Sequence, residues 1–176
     1  DKGAIIEQES VDILPEDNIG TLYDKLMNIG SELVLRTVDK IAEGNYTAIE
    51  QMHIDESTLR PAPKIFRETC QIIWEKHTME SAHNFVRGLS PYPGAWTNLI
   101  SPDGKECVMK IFRTQKLAQQ GSDAPMLITS IDGKPALAVS MPDGILCIHE
   151  LQLAGKKRMS ALDFLRGTSL DGWKLA

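Results

Sequence analysis

The sequence predicts an α+β fold in which a strand and a long helix precede a small antiparallel β-barrel. Two observations lead to this prediction. Beyond residue 95, short apolar segments alternate with turn sequences, among them Asp-Gly pairs at residues 103–104, 132–133 and 143–144; such pairs favour the tight turns of β-hairpins. Between residues 21 and 43, apolar residues recur at three- and four-residue steps, which places them on one face of a helix.

The N-terminal part is predicted to contain a strand followed by this helix. Residues 3–14 carry two apolar runs that end at Pro15, which is typical of a strand. The helix over residues 21–43 is followed by Gly44 and Asn45. Both residue types tolerate the left-handed conformation that commonly ends a helix, so we expect the helix to stop there.

A linker is predicted between this part and the barrel. Helical periodicity disappears after residue 44, and the segment ends in a Pro-Ala-Pro sequence at residues 61–63, where the backbone favours extended conformations. We therefore predict three parts of the chain, with boundaries at residues 1–44, 45–63 (the linker) and 64–176.

The C-terminal part is predicted to begin with a short strand over residues 72–74 and a helix over residues 78–87. Thr78 and Ser81 mark the start of that helix, and its buried face is predicted to consist of Ala82, Phe85, Val86 and Leu89. The strands of the barrel are predicted at residues 95–100, 107–112, 126–131, 135–140 and 145–153, followed by a helix over residues 160–166.

Composition excludes several classes of protein. The hydrophobic fraction of 42% and charged fraction of 24% are ordinary for a folded domain, and no apolar run approaches the roughly 20 residues that span a membrane. Three widely spaced cysteines fit free thiols of a reducing cytosol. The net charge of −5 is uneven, with balances of −8 over residues 1–60, zero over 61–103 and +3 over 104–176.

Basic residues are the candidate contacts for a polyanion. Lys156, Lys157 and Arg158 are adjacent in a predicted turn and could meet phosphate oxygens without reading sequence; the alternative is a solvated basic turn. Lys110 and Arg113 share a strand and would point to opposite faces if that strand is regular. A further candidate, Arg87, lies at a helix end, where a cation also offsets the helix dipole.

Three aromatic residues and four histidines are the remaining residues whose chemistry could form a site. Trp74, Tyr92 and Trp96 could stack on bases, but burial in the barrel is the favoured interpretation for Trp74 and Trp96. The histidines show no spacing that converges on zinc, and no phosphate-binding glycine motif is present. We predict no metal site.

Two segments resemble the methionyl-tRNA formyltransferase family. They are residues 87–96, Arg-Gly-Leu-Ser-Pro-Tyr-Pro-Gly-Ala-Trp, and residues 151–167, which include Lys-Lys-Arg-Met-Ser-Ala. Residues 1–6, 18–26, 62–65 and 72–74 are similar to the family in the same order, so the resemblance covers essentially the whole chain. The chain departs from the family pattern at Lys2, Ala4 and Ile73.

The resemblance implies a fold and a reaction. It implies that the chain begins inside a Rossmann-like α/β formyltransferase domain and ends in an open barrel of the oligonucleotide-binding type. The family transfers a formyl group from 10-formyltetrahydrofolate to the amine of initiator methionyl-tRNA. Asp1 matches the family's catalytic Asp, while its Asn, its His and most of its folate pocket match nothing here. We therefore expect this chain alone to be inactive and to bind no folate.

The resemblance also implies a partner and a cellular role. The barrel is expected to dock tRNA through backbone charge, with candidates Arg87, Lys110, Arg113, Lys156, Lys157 and Arg158. We expect the parent enzyme to be a monomeric cytoplasmic protein of bacterial translation initiation with neither DNA nor membrane as a partner. Two alternatives stay open: a fragment of a formyltransferase acting on another amine, such as a sugar nucleotide, and a binding module without catalysis.

Overall fold

The computed structural model describes residues 3–51, 57 and 59–176, and the chain divides into two units, Asp1–Lys64 and Ile65–Ala176. The first unit is dominated by helix α1 (Ile19–Ala42). Asn18 caps its start, because the Asn18 side chain accepts the Thr21 N–H at 3.0 Å while Thr21 Oγ1 accepts the Asn18 N–H. The predicted helix and its end at Gly44, which has φ +70°, are confirmed.

The strand predicted over residues 3–14 is wrong. Within the described residues this segment forms one antiparallel bridge, in which Ile5 and Ile49 exchange two N–H···O bonds of 2.8 Å. A strand needs a partner along its length, and the segment meets one at a single position. Ionic contacts hold it to α1 instead, since Glu7 binds both Arg36 and Lys40, which lowers the pKa of the Glu7 carboxyl.

A buried carboxylate organises the entry to α1. The side chain of Asp17 is 8% exposed and binds Lys25 Nζ at 2.5 Å. It also accepts the Leu14 N–H at 2.7 Å and the Thr21 hydroxyl at 2.9 Å. The Lys25 ammonium, followed by the Leu14 N–H, lowers the pKa of Asp17 to about 2.

The second unit is built on a seven-stranded antiparallel sheet. Its strands follow the order β3-β4-β5-β2-β1-β7, with β6 paired to β5. The two end strands of this path, β3 and β7, approach to within 8 Å between Cα atoms without being neighbours in the described sheet, so the barrel stays open there. The strands are β1 (Ala95–Ile100), β2 (Glu106–Leu117), β3 (Met126–Ile131), β4 (Lys134–Met141), β5 (Gly144–Leu153), β6 (Met159–Ser160) and β7 (Lys174–Leu175).

Helix α2 (Met79–Leu89) packs on the barrel as predicted. Its first turn has the reciprocal cap of Thr78 and Ser81, and the carboxylate of Asp143 in the β4–β5 turn accepts the Met79 N–H at 2.8 and 2.9 Å. This contact joins the start of the helix to the sheet. Of its predicted inner face, three side chains are buried and Phe85 is half-buried against the core; the buried three are Ala82, Val86 and Leu89.

The strand predicted over residues 72–74 is also wrong. Its extended part is limited to a parallel bridge between Gln71 and Trp96, beside which the Ile72 N–H donates to the Trp96 carbonyl at 2.7 Å. The chain then turns in a 3₁₀ helix, Trp74–Lys76. This turn inserts the Trp74 ring, which is 1% exposed, into the core, where its Nε1–H donates to Thr97 Oγ1 at 2.9 Å.

The last helix, α3 (Ala161–Gly167), is capped by Ser160, whose hydroxyl accepts the Asp163 N–H. Its Ala161 and Phe164 side chains pack against the barrel core.

The described cysteines, Cys70, Cys107 and Cys147, are free thiols. Among the described residues, α1 is the longest helix, and none of the helices there is long and apolar enough to cross a membrane.

The Asp17 contacts predict a pH-dependent contribution to stability. Because the folded pKa lies below that of an unfolded Asp, the contribution is complete above about pH 4 and is lost as the pH falls toward about 2. We expect Asp17→Asn to lower the melting temperature of α1, followed by circular dichroism, at pH 5 to 7, with the deficit shrinking between about pH 4 and pH 2. The exposed Asp12 provides the control Asp12→Asn. A deficit that is independent of pH would contradict this account.

Candidate nucleic-acid interface

Strands β2 and β5 pair irregularly on the face that carries most of the predicted basic residues. Ile111 pairs with Leu151, and the next paired residue of β2, Arg113, faces Glu150. Phe112 is therefore one extra residue on β2, a β-bulge. A bulge changes which side chains point inward on either side of it.

The bulge brings two predicted basic residues to the same face. Before it, Met109 and Ile111 point into the barrel and are fully buried, and after it Thr114 is buried. Lys110 and Arg113 consequently both point outward. The expectation that these two would lie on opposite faces held only for a regular strand, and the strand is not regular.

A second bulge on β5 compensates for the first. Thr114 pairs with Ile148, so His149 is the extra residue of β5. Its Nε2 lies 2.9 Å from Gln115 Oε1. Burial, and then the charge of Arg113, lower the pKa of His149.

Phe112 lies on the outer face and is nonetheless only 8% exposed. The guanidinium carbon of Arg158 lies 4.4 Å from its ring centroid, a cation–π contact. Gly94 lies against the ring from another side: it has φ +85°, and a Cβ there would be 3.1 Å from the ring. The ring thus fills a pocket whose walls are the Gly94 backbone and the Arg158 side chain.

Glu150 connects two of the predicted basic residues. It forms an ion pair with Arg158 and lies 3.7 Å from Arg113 Nε. Arg113 is 63% exposed and Arg158 is 44% exposed at the side chain, so both guanidinium groups keep donors available to solvent. One carboxylate for two guanidinium groups leaves the cluster Arg113–Glu150–Arg158 with a charge of +1.

The turn between β5 and β6 presents two further cations. Lys156 and Lys157 are exposed, and the turn is closed by the Lys156 N–H, which donates to the Leu153 carbonyl at 3.0 Å. The Gln152 side chain donates to the Lys156 carbonyl at 2.8 Å. Within the part of the chain that the structure describes, neither ammonium group forms an ion pair.

The remaining predicted site residues are placed differently. Lys110 Nζ donates to the Pro93 carbonyl at 2.9 Å. Arg87 lies in the last turn of α2 instead of on the β2–β5 face, and its Nε donates to Asn84 Oδ1 at 2.7 Å. Asp1, the predicted catalytic residue, lies outside the described residues.

Sequence reasoning missed Phe112, Glu150 and Gly94 as parts of this face. Phe112 and Glu150 are separated by a long stretch of sequence and meet the basic residues only through the register of β2 and β5. The opposite charges of Arg113 and Glu150 would have been a signal, but only for a reader who already knew that register. Nothing local distinguishes Gly94 from the other turn glycines.

Comparison with known proteins identifies the family. The family "Formyl transferase, C-terminal domain" matches residues 64–169. The chain belongs to this family. Together with the open antiparallel sheet and the helices described above, the match confirms the predicted α+β fold class and the resemblance.

Curated relatives of the formyl transferase family cover nearly the whole chain. The methionyl-tRNA formyltransferase of Bacteroides fragilis is 44% identical over 97% of this chain and 52% of its own length. That of Bacteroides thetaiotaomicron is 44% identical over 99% of this chain and 54% of its own length. The chain therefore spans about half the length of the curated relatives it matches.

Solved structures share the fold at low identity. A multiply substituted variant of HypX from Aquifex aeolicus matches 98% of this chain and 30% of its own with a TM-score of 0.65 and 17% identity. HypX in complex with tetrahydrofolic acid matches 76% of this chain and 22% of its own with a TM-score of 0.52 and 18% identity. At this identity the likeness shows the fold alone.

Because Gly94 forms a wall of the Phe112 pocket, we expect an alanine at position 94 to destabilise the barrel more than an alanine at another glycine with positive φ. Gly94 and Gly104 both have positive φ, +85° and +81°, but a Cβ at Gly104 meets nothing within 4 Å. Gly104→Ala should lower the free energy of unfolding by about 1 kcal/mol through backbone strain. We expect Gly94→Ala to cost about 1 kcal/mol more, because the Cβ displaces the Phe112 ring. Urea unfolding followed by tryptophan fluorescence reports on the barrel; equal costs would contradict the role given to Phe112.

Glu150 is predicted to restrain the polyanion affinity of this face. Glu150→Gln releases both Arg113 and Arg158 and raises the charge of their cluster to about +2. We expect this variant to elute from immobilised heparin at higher salt than the unaltered chain. Asp103→Asn changes the net charge equally and releases Lys105 in the turn between β1 and β2 instead. Equal shifts for the two variants would mean that net charge alone decides retention.

Proposed function

We propose that this chain is the C-terminal portion of a methionyl-tRNA formyltransferase and that its barrel docks the tRNA. The observation that carries the proposal is the 44% identity over 97% of the chain to curated enzymes of that name. We also propose the division of the chain that the sequence predicts. Residues 1–44 form the end of the catalytic domain, residues 45–63 form a linker, and residues 64–176 form the domain that docks the tRNA.

The proposed reaction transfers a formyl group from 10-formyltetrahydrofolate to initiator methionyl-tRNA. The amine nitrogen attacks the formyl carbon, a C–N bond forms, and the bond from the carbon to the folate nitrogen breaks. The amine loses a proton and tetrahydrofolate takes one up. Asp1 is proposed as the carboxylate that helps to remove the amine proton. The partner groups that would stabilise the developing oxyanion are proposed to belong to the rest of the enzyme.

The barrel supports the proposed tRNA docking through its outer face. Arg113 and Arg158 share Glu150 there, while Lys156 and Lys157 are exposed in the adjoining turn. Such cations contact phosphate oxygens and orient the nucleic acid without reading its sequence. Lys110 and Arg87 complete the proposed set of contacts.

The cellular setting follows from the proposed reaction. Formylation of initiator methionyl-tRNA belongs to bacterial translation initiation, so we propose a cytoplasmic protein whose partner is tRNA, acting as a monomer without DNA or membrane. A formyltransferase on another amine, such as a sugar nucleotide, is the second candidate. It would leave the exposed Lys156 and Lys157 without a phosphate backbone to meet.

Titration of the chain with initiator tRNA at several salt concentrations tests the docking. Phosphate contacts release counterions, so affinity should fall steeply with salt. We expect Lys156→Ala/Lys157→Ala to weaken binding at low salt and to reduce the slope of log affinity against log salt by about one per lysine. Arg158 is left intact in this variant because its side chain also covers Phe112.

A matched control removes the same charge elsewhere. Lys134→Ala/Lys174→Ala changes two exposed lysines on β4 and β7 and should leave both affinity and slope near those of the unaltered chain. Absence of tRNA binding at low salt, or equal losses in the two double variants, would overturn the proposed docking surface.

A further inference from the structure

A groove runs along the outer face of the second unit beside the Arg113–Glu150–Arg158 cluster. It has a volume of about 510 Å³ and lies between the segment that precedes α2 and the loop that precedes β1. None of the described residues that line it is acidic, and two of them, Arg67 and Lys110, are cationic. The groove therefore favours an anionic occupant.

Aromatic rings form the walls of this groove. Tyr92 is 83% exposed, more than any other large apolar or aromatic side chain among the described residues. Trp96 is half-buried, and its Nε1–H donates to the Arg67 carbonyl at 2.9 Å. The Arg67 guanidinium lies 5.7 Å from the Trp96 ring centroid. Phe66, which is 54% exposed, adds a third ring to the groove.

Lys110 links the aromatic walls to the charged cluster. It is the cross-strand partner of Trp96 in the β1–β2 ladder, and its Nζ is held at the Pro93 carbonyl. Gly94 lies against the Lys110 side chain and against the Phe112 ring, which Arg158 covers. The groove and the Arg113–Glu150–Arg158 cluster therefore form one continuous surface.

We propose that this groove binds an unpaired stretch of RNA, with a base stacked on Tyr92 beside Trp96 and phosphates near Arg67 and Lys110. Exposed rings next to cations are the arrangement that binds single strands, since every base has a face that can stack. In a duplex the base faces are already stacked on one another, and the rings cannot reach them. The inference rests on the proposed function, because tRNA offers both paired and unpaired segments. It goes further because it assigns different contacts to different groups: the cations bind phosphates, and the aromatic rings bind an unpaired base.

The test uses the full 176-residue chain and a single-stranded RNA of about ten nucleotides that carries one 2-aminopurine. We expect binding to quench the fluorescence of the base, because it stacks on an aromatic ring. Tyr92→Ala should weaken binding about tenfold and reduce the quenching at saturation. Tyr92→Trp should restore both. Removal of such an exposed side chain leaves the fold intact, which circular dichroism verifies.

Two comparisons make the result decisive. Tyr23→Ala removes another accessible ring, that of a tyrosine on α1 which is 65% exposed, and should change nothing. A blunt-ended RNA duplex of the same length, formed from two complementary strands and therefore without an unpaired base, should bind the Tyr92→Ala variant as well as it binds the unaltered chain.

Unchanged affinity and quenching in Tyr92→Ala, or equal losses for single-stranded and duplex RNA, would overturn the proposal. So would the absence of any binding to the single-stranded RNA at low salt. These failures are distinct from failure of the proposed function, which is decided by the response of tRNA binding to Lys156→Ala/Lys157→Ala.

Discussion

The paired bulges of β2 and β5 are the constraint on which the outer face of the barrel depends. Phe112 is an extra residue on one strand and His149 an extra residue on the other, so the ladder loses its register and recovers it within three residues. A regular ladder would turn Arg113 inward, where an unpaired guanidinium is costly. The bulges instead keep the apolar side chains inside and turn Lys110 and Arg113 outward together.

The outward position of Phe112 determines the surroundings of the ring. An aromatic side chain on the outer face needs cover, and Arg158 supplies it with the face of its guanidinium. Glu150 then holds that guanidinium in place. Arg158 therefore has two structural contacts before any phosphate arrives. Lys156 and Lys157 have no such contacts among the described residues, so on this face they are more available to a partner than Arg158 is.

Local signals determined what the sequence could predict. The helix caps at Asn18 and Thr78 use side chains within three residues of the N–H groups that they bind, so both helices were predictable. The Ile-Ile-Trp sequence before α2 also looked like a strand, but burial of the Trp74 ring bends the chain into a 3₁₀ turn. Adjacent cations such as Lys156 and Lys157 were visible as a cluster. Contacts that depend on strand register, above all that of Glu150 with Arg113, were not.

In the proposed binding mode, the cations attract RNA of any kind, and the aromatic rings distinguish unpaired from paired bases. Phosphate contacts act over the Debye length and are blind to base pairing, so cations alone would hold any stretch of RNA in many registers. A ring acts only at contact and only on an unstacked base. In this barrel, Lys110 belongs to both surfaces, because it pairs with Trp96 across the ladder and lies beside the Gly94 wall of the Phe112 pocket. In the proposed complex, an RNA strand that follows the cations is thereby led to a groove where an unpaired base can stack on a ring.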